Sequence, residues 1–447
     1  MKASAVHETL SKHMLATGED IVIDLERSHG SYIYDSLENR EYIDFFTYFA
    51  SIPIGHNHPK MKDPVFQKKL LTSAMSKPSS SDFYTTLMAE FVDTFARVAM
   101  PKYMPYLFLV SGGALAVENA LKTAFDWKFR KNVAKIQNTP DIAQHYALEG
   151  MGSKIIHFKE AFHGRSGYTM SLTNTADPRK YAYFPKFDWP RITNPKLRFP
   201  ITEEVLKEVV QTEAIAIAQI EAALKKYPGD IAGLIIEPIQ GEGGDNHFRP
   251  EFFQELRRLA DEHEFLFIVD EVQSGMGVTG KWWAMEHMGV MPDIIAFGKK
   301  AQVCGIIAGP RIDEVENHVF QESSRNNSTW GGNLTDMVRC TRYLEIIEED
   351  NLIEHTNKVG AKLKAGLEKL AENSNGVMDN VRGRGLMIAF DLPNKATRDE
   401  MKATLKENGL YCLPCGEKSI RFRGMLDTPE EIIDKALKIV EKSIPVI

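Results

Sequence analysis

The sequence predicts an α/β protein, with a mostly parallel sheet wrapped by helices and a smaller α+β part. Three observations carry that prediction. Strand-like runs alternate with helix-like stretches from about residue 106 to 309, the pattern of crossover units in a parallel sheet. Residues 231–236 and 265–269 are apolar almost throughout rather than at alternate positions, which a strand needs only when both sheet faces are covered. Past about residue 376 the alternation continues on a smaller scale, with shorter strands and helices between them.

At 447 residues the chain is too long for one compact core. Its 43% hydrophobic and 26% charged residues are the balance of a soluble globular enzyme. A net charge of −7 argues against a general binder of nucleic acid or anionic membrane. No run reaches the roughly 18 apolar residues of a membrane helix. The start, MKASAVHETLSKHML, lacks the apolar centre of a secretory signal, so a cytoplasmic protein is expected. Four cysteines, Cys304, Cys340, Cys412 and Cys415, are too few for a disulfide framework. Cys412 and Cys415 have the spacing of a redox or zinc half-site, but no second CxxC or His pair completes it and no thioredoxin context surrounds it. No metal site is expected.

Taken in order, residues 1–20 read as a helix or arm. A short β section follows at 21–23, 32–35 and 41–46. Residues 54–59, IGHNHP, are a turn punctuated by Gly and Pro, with histidines that suit turn hydrogen bonds better than a metal. The pattern is helical from about residue 82. Residues 106–110 form a strand, 111–114 (SGGA) a tight small-residue turn, and 115–128 a helix by spacing. Strand, glycine turn and helix offer free N–H groups and a dipole to a phosphate, although many α/β turns carry glycine for the backbone alone. The strand at 154–158 leads into Phe162-His163-Gly164-Arg165-Ser166. There Phe162 can stack on a planar ring and Arg165 can clamp a carboxylate; the bland reading is a packed aromatic and a solvated arginine. Helical periodicity covers 201–226. The strand at 231–236 ends in Glu237-Pro238, followed by QGEGGD at 240–245. Glu242 among glycines marks either a surface turn or a cleft residue that needs mobile backbone around it. A helix at about 250–263 comes next.

The chain is organised around residues 265–300. The apolar strand 265–269 ends in Asp270-Glu271, and the next strand, 293–297, ends in Gly298-Lys299-Lys300. Two neighbouring strands deliver a carboxylate and an amine to the sheet edge where open α/β sheets bind ligands. A buried acid satisfied by a surface lysine is one reading. The other is a pyridoxal phosphate site, in which the lysine amine forms a Schiff base with the cofactor aldehyde and the aspartate keeps the pyridine nitrogen protonated. Residues 305–309 read as one more strand. NSTWGGN at 327–333 is a second polar, glycine-flanked turn suited to phosphate, 333–373 is helical and charged, and 388–391, 410–412 and 420–423 are strands of the α+β end.

These motifs, from GHNHP at 55–59 to SIRFRG at 419–424, with VDEVQSGMGVTGKWWA and PDIIAFGKKAQVCG between them, resemble the class III (ω-) aminotransferases of the fold-type I pyridoxal phosphate enzymes. The resemblance implies a large domain at 61–333 around a mostly parallel seven-stranded sheet. It also implies a smaller α+β domain built from both chain ends, 1–60 and 334–447. The spacing the family keeps between acid and lysine, counted from Asp270, lands on Lys299, with Lys300 as the alternative. By resemblance Lys299 and Asp270 are catalytic. Val272 packs on one cofactor ring face, Phe162 covers the other, and Gln273 reaches the ring phenolate oxygen. Gly113 and Ala114 hold the phosphate, in a register open by one residue because the chain reads SGGALAVE where family members read SGxEAVE. Ser328 and Thr329 reach the phosphate of a neighbouring subunit, which implies a homodimer. FHGR at 162–165 and EPIQGEGGD at 237–245 are similar to the branch acting on L-lysine or 4-aminobutyrate. There Arg165 binds the remote substrate carboxylate, and Glu242 pairs with Arg421 until 2-oxoglutarate needs it. The runs SGGALAVENALKTAFDWKFRKN and NSTWGGNLTDMVR favour L-lysine as donor, with 4-aminobutyrate or another ω-amino acid as the alternative.

Overall fold

The apolar runs of mid-chain become the inner strands of a seven-stranded sheet. The computed structural model describes residues 1–76, 82–136 and 150–445. Its first strands are β1 (Tyr32–Asp35) and β2 (Arg40–Asp44). The large sheet uses β3 (Tyr106–Val110), β4 (Lys154–Phe158), β5 (Arg191–Ile192), β6 (Ile231–Ile236), β7 (Leu266–Asp270), β8 (Ile294–Phe297) and β9 (Cys304–Ala308), in the order β3-β9-β8-β7-β6-β4-β5. Only β9 runs against the rest, pairing antiparallel with both β3 and β8. The other neighbours, from β8 to β5, are parallel.

The full burial of these strands has a direct cause. Along β7, Leu266 and Ile268 enter the apolar cluster on one sheet face while Phe267 and Val269 enter the cluster on the other. Side chains alternate across a sheet, so two covered faces require an uninterrupted apolar sequence. The helix Gly113–Ile136 packs across β9, β6 and β8.

The remaining strands are β10 (Asp379–Arg384), β11 (Met387–Asp391), β12 (Leu410–Tyr411), β13 (Leu413–Cys415) and β14 (Ser419–Arg423). Four of them make an antiparallel sheet, β10-β11-β14-β13. β12 instead lies parallel to β2 and completes a three-stranded sheet with β1. Ile43, Phe45 and Ile54 accordingly share an apolar cluster with residues of the last hundred, Phe390 and Phe422 among them. Of the expected strand at 21–23, only an isolated bridge from Ile23 to Asp35 forms. The stretch 333–373 is two helices, Leu334–Glu349 and Leu352–Glu372, broken at Asn351 with φ 50°. Among the described residues no helix is long and apolar enough to cross a membrane.

Candidate active site

Because β3, β4, β6, β7 and β8 run the same way, the loops after them meet at one sheet edge. β7 ends in Asp270, which is 5% exposed. Its Oδ2 lies 2.8 Å from His163 Nδ1, and its Oδ1 accepts the Val272 N–H at 3.0 Å. A carboxylate only accepts, so His163 donates from Nδ1. His163 Nε2 is buried with no partner among the described residues. Beside this pair Glu237, at the end of β6, accepts the N–H of Phe162 at 2.9 Å and of Gly241 at 3.1 Å. Burial pushes the Glu237 carboxyl up to about 7, with His163 opposing and Asp270 adding to it. Glu237 thus ties the loop carrying Phe162 to the loop carrying Glu242.

The lysine doublet is divided by its surroundings. Burial first, then Arg421 and Arg423, bring the Lys299 amine down to about 8, against the pull of Glu242 and Asp270. Lys300 is 1% exposed and its amine is driven far below the usual lysine value, by burial and then by Arg423 and Lys299, both cations. Lys299 therefore shares the site of the two acids. Both amines rest on one unusual segment. Thr47, Tyr48, Phe49 and Ala50 have φ of 46°, 48°, 59° and 67°, a left-handed turn made without glycine. Lys299 Nζ donates to the Phe49 carbonyl at 3.2 Å and Lys300 Nζ to the Ala50 carbonyl at 2.9 Å. Asp44 holds the turn by accepting the N–H of Phe46 at 3.0 Å and of Thr47 at 2.7 Å, and Thr47 donates its hydroxyl to the Arg423 carbonyl at 3.1 Å.

Val272 joins three of the loops. A Cβ placed on Gly113 would lie 2.9 Å from its Cγ1, and one on Gly298 would lie 3.6 Å from the same atom. The helix that starts at Gly113 has first-turn N–H groups with no intrahelical acceptor. One on Gly164 would come within 2.6 Å of Ala114 Cβ, so that glycine lets the Phe162 loop close against the Gly113 turn.

Opposite, Arg421 of β14 is buried and donates to Glu242 Oε2 at 2.7 Å. Lys180 pairs with the other oxygen, Oε1. Burial raises the Glu242 carboxyl, but Arg421 and Lys180 more than offset it and leave it below its ordinary value. Gln273 Oε1 accepts from Arg421 at 3.3 Å and from Arg423 at 2.7 Å. The glycines around Glu242 have packing reasons of their own at Gly241 and Gly243. A Cβ at Gly241 would collide with the Gln273 amide, and one at Gly243 with the Glu160 carbonyl. Arg382 Nε donates to the carbonyls of Gly244 and Asp245 at 3.1 Å each, and Asp245 forms a wholly buried pair with Arg423. The Glu242 side chain, 24% exposed, is what has room to turn.

Arg165 is exposed, 5.8 Å from the Phe162 ring centroid, and pairs with no carboxylate among the described residues. Ser328 and Thr329 lie on a turn closed by the Gly331 N–H on the Ser328 carbonyl, and the Ser328 N–H donates to Asn327 Oδ1 at 2.7 Å. His163 and Glu237 lie inside quoted motifs but were given no role, because a sequence does not reveal which polar groups are buried face to face. Lys180 lies outside every motif and left no signal. The four cysteines are buried and free, and no cluster of metal ligands forms among the described residues. A cavity of about 890 Å³ lined by Phe125, Tyr168 and Trp189 lies elsewhere and holds none of these groups.

This donor set fits pyridoxal phosphate: a near-neutral amine, a carboxylate backed by an imidazole, an aromatic face, and a glycine turn opening a helix. A Cβ at Gly113 would crowd the Val272 wall of that cradle. Residues 14–444 match the family model of class III aminotransferases. The chain is 50% identical over 443 residues to an L-lysine-epsilon aminotransferase of Mycobacterium tuberculosis, covering 99% of this chain and 96% of that one. It is 47% identical over 446 residues to one from Streptomyces clavuligerus, covering 99% and 95%. Its fold superposes on lysine aminotransferase from M. tuberculosis in the internal aldimine form with a TM-score of 0.94 and 50% identity, covering 100% and 99% of the two chains. The chain belongs to the class III aminotransferases, pyridoxal phosphate enzymes of the α/β class.

Proposed function

We propose that the chain transfers the ε-amino group of L-lysine to 2-oxoglutarate, giving 2-aminoadipate 6-semialdehyde and L-glutamate. The Glu242–Arg421 pair, 2.7 Å long, at the site of Lys299 supports an ω-amine donor, and 47–50% identity to L-lysine-epsilon aminotransferases, against 32–33% to 4-aminobutyrate aminotransferases, supports L-lysine. The carbon that loses the amine in L-lysine carries an uncharged chain, while the carbon that receives it in 2-oxoglutarate carries a carboxylate. Glu242 on Arg421 gives the first a neutral wall. Turned away, Glu242 frees Arg421 for the second. Arg421 Nε has no partner among the described residues and adds a donor for that carboxylate. Arg165 holds the remote carboxylate of either substrate.

Pyridoxal phosphate, when bound, supplies an aldehyde that exchanges amines and a ring that delocalises the electrons of a broken C–H bond. Lys299 Nζ would be the group that takes and holds the proton from the substrate carbon. Asp270, steadied by His163 at 2.8 Å, would hold the proton on the ring nitrogen. Val272 and Phe162 would flank the ring, and Gly113 and Ala114 would offer N–H groups to the phosphate. Gln273, its oxygen occupied by two guanidinium groups, would have its amide N–H₂ left for the ring oxygen. Ser328 and Thr329 serve the phosphate of a second copy in a homodimer, a reading supported by the exposure of Thr329 and Trp330. The cluster that unites Ile43 and Phe45 with the carboxyl-terminal third supports a small domain of 1–60 and 334–447 around the large one at 61–333.

A single-turnover comparison of donors tests the assignment. L-Lysine should convert the bound cofactor's absorbance to that of its amine form about tenfold or more faster than 4-aminobutyrate does, about 1.4 kcal/mol in the barrier. Faster conversion by 4-aminobutyrate would reverse the choice of donor.

A further inference from the structure

Glu242 is held from two sides by cations on separate parts of the chain. Arg421 comes from β14, and Lys180 from the single turn Pro178–Lys180. The Lys180 side chain is 20% exposed, and Glu242 is its only ion-pair partner among the described residues. Its Nζ lies 6.0 Å from the Phe162 ring centroid, on the ring that Arg165 also approaches. The two contacts divide the carboxylate, Oε2 to Arg421 and Oε1 to Lys180. A part-buried carboxylate that lets go of one cation must keep another or lose its charge. The backbone of 241–245 is held by Arg382 and by close contacts at Gly243, so the exchange falls to the Glu242 side chain, and Lys180 is a partner already within its reach.

We propose that Lys180 is the pivot of the Glu242 exchange, a positioning residue that keeps Oε1 while Oε2 leaves Arg421 and so sets the affinity for the dicarboxylate acceptor. The inference rests on the reading above, in which Arg421 is freed for 2-oxoglutarate. Without Lys180, releasing Arg421 strands the Glu242 charge, and the closed pair persists against the acceptor. L-Lysine, which binds with the pair closed, depends on Lys180 less.

The experiment uses the holoenzyme and glutarate, a dicarboxylate that cannot react, titrated by calorimetry beside the two half-reactions. Lys180→Met should weaken glutarate about tenfold, about 1.4 kcal/mol. It should slow the 2-oxoglutarate half-reaction about fivefold more than the L-lysine half. Lys180→Arg should restore most of the loss. Glu242→Gln alone should tighten glutarate, and in that background Lys180→Met should have little further effect, because the two act as one unit. An equal loss of glutarate affinity with and without Glu242 would mean that Lys180 touches the ligand directly, and equal losses in both half-reactions would mean a structural role; either result overturns the pivot. If Glu242→Gln leaves glutarate affinity unchanged while Lys180→Met still lowers it, the exchange reading itself fails, and the pivot with it.

Discussion

Burial and two neighbouring arginines make Lys299 different from a surface lysine. Only the unprotonated amine attacks an aldehyde, and its fraction rises with pH through the amine's own pKa. With Lys299 held at about 8, the rate at which the cofactor-free protein captures pyridoxal phosphate should climb from pH 6 and flatten just above 8. An ordinary lysine would keep climbing towards about 10.4. Stopped-flow absorbance across that range checks it, with Lys299→Ala capturing nothing. A plateau only above pH 10 would show the amine to be unperturbed. At this scale the sequence was legible where apolar strands end: Asp270 and the lysine doublet follow the adjacent parallel strands β7 and β8 and so reach one sheet edge, while the choice of Lys299 over Lys300 came from the family resemblance. It was silent on His163 and Glu237, whose partners come from other loops.

At the scale of single elements, the loop at 240–245 shows what a glycine can conceal. In the sequence its glycines are equally consistent with motion and with tight contact. The structure answers by collision, since a methyl group at Gly243 runs into the Glu160 carbonyl, which is backbone and cannot swing aside. Gly243→Ala should therefore cost about 1–3 kcal/mol of stability, seen as a lower thermal midpoint, with Glu242→Gln on the same loop shifting it far less. An unchanged midpoint in Gly243→Ala would restore the mobile loop. Strands divided along similar lines. β7 and β8 announce themselves because every position is buried, whereas β10, with the sequence DNVRGR, carries no apolar period. It forms because β11 pairs with it and Arg382 finds acceptors in the Gly244 and Asp245 carbonyls.

For the molecule as a whole, the site lies where the seven-stranded and four-stranded sheets meet, and Asp245–Arg423 joins them there with both side chains at 0% exposure. Asp245→Asn would leave a fully buried guanidinium with its charge uncompensated. The expected loss is about 3–5 kcal/mol, partly recovered when Arg423 is replaced by leucine in the same chain. Chemical denaturation measures both, and a loss under about 1 kcal/mol would show the pair to be incidental. The α/β class was legible early, because it follows from a repeated pattern of apolar strands and helices. The closeness of these two charges was not, since 178 residues separate them.

The left-handed turn at 47–50 sets an order in time. Each of its residues sits in a conformation that costs an L-residue roughly 1–2 kcal/mol, and its carbonyls receive amines from 250 residues further along the chain. Contacts that distant form late, after the intervening chain has collapsed around its own local structure. As the polypeptide emerges from the ribosome, residues 47–50 have nothing to hold them in that shape, and the amine has no seat, until the β8 hairpin and then β14 have been made. The seat of the reactive amine thus cannot be complete before β14 has been made, and a chain that stops short of it carries the lysine without the arginines that tune it.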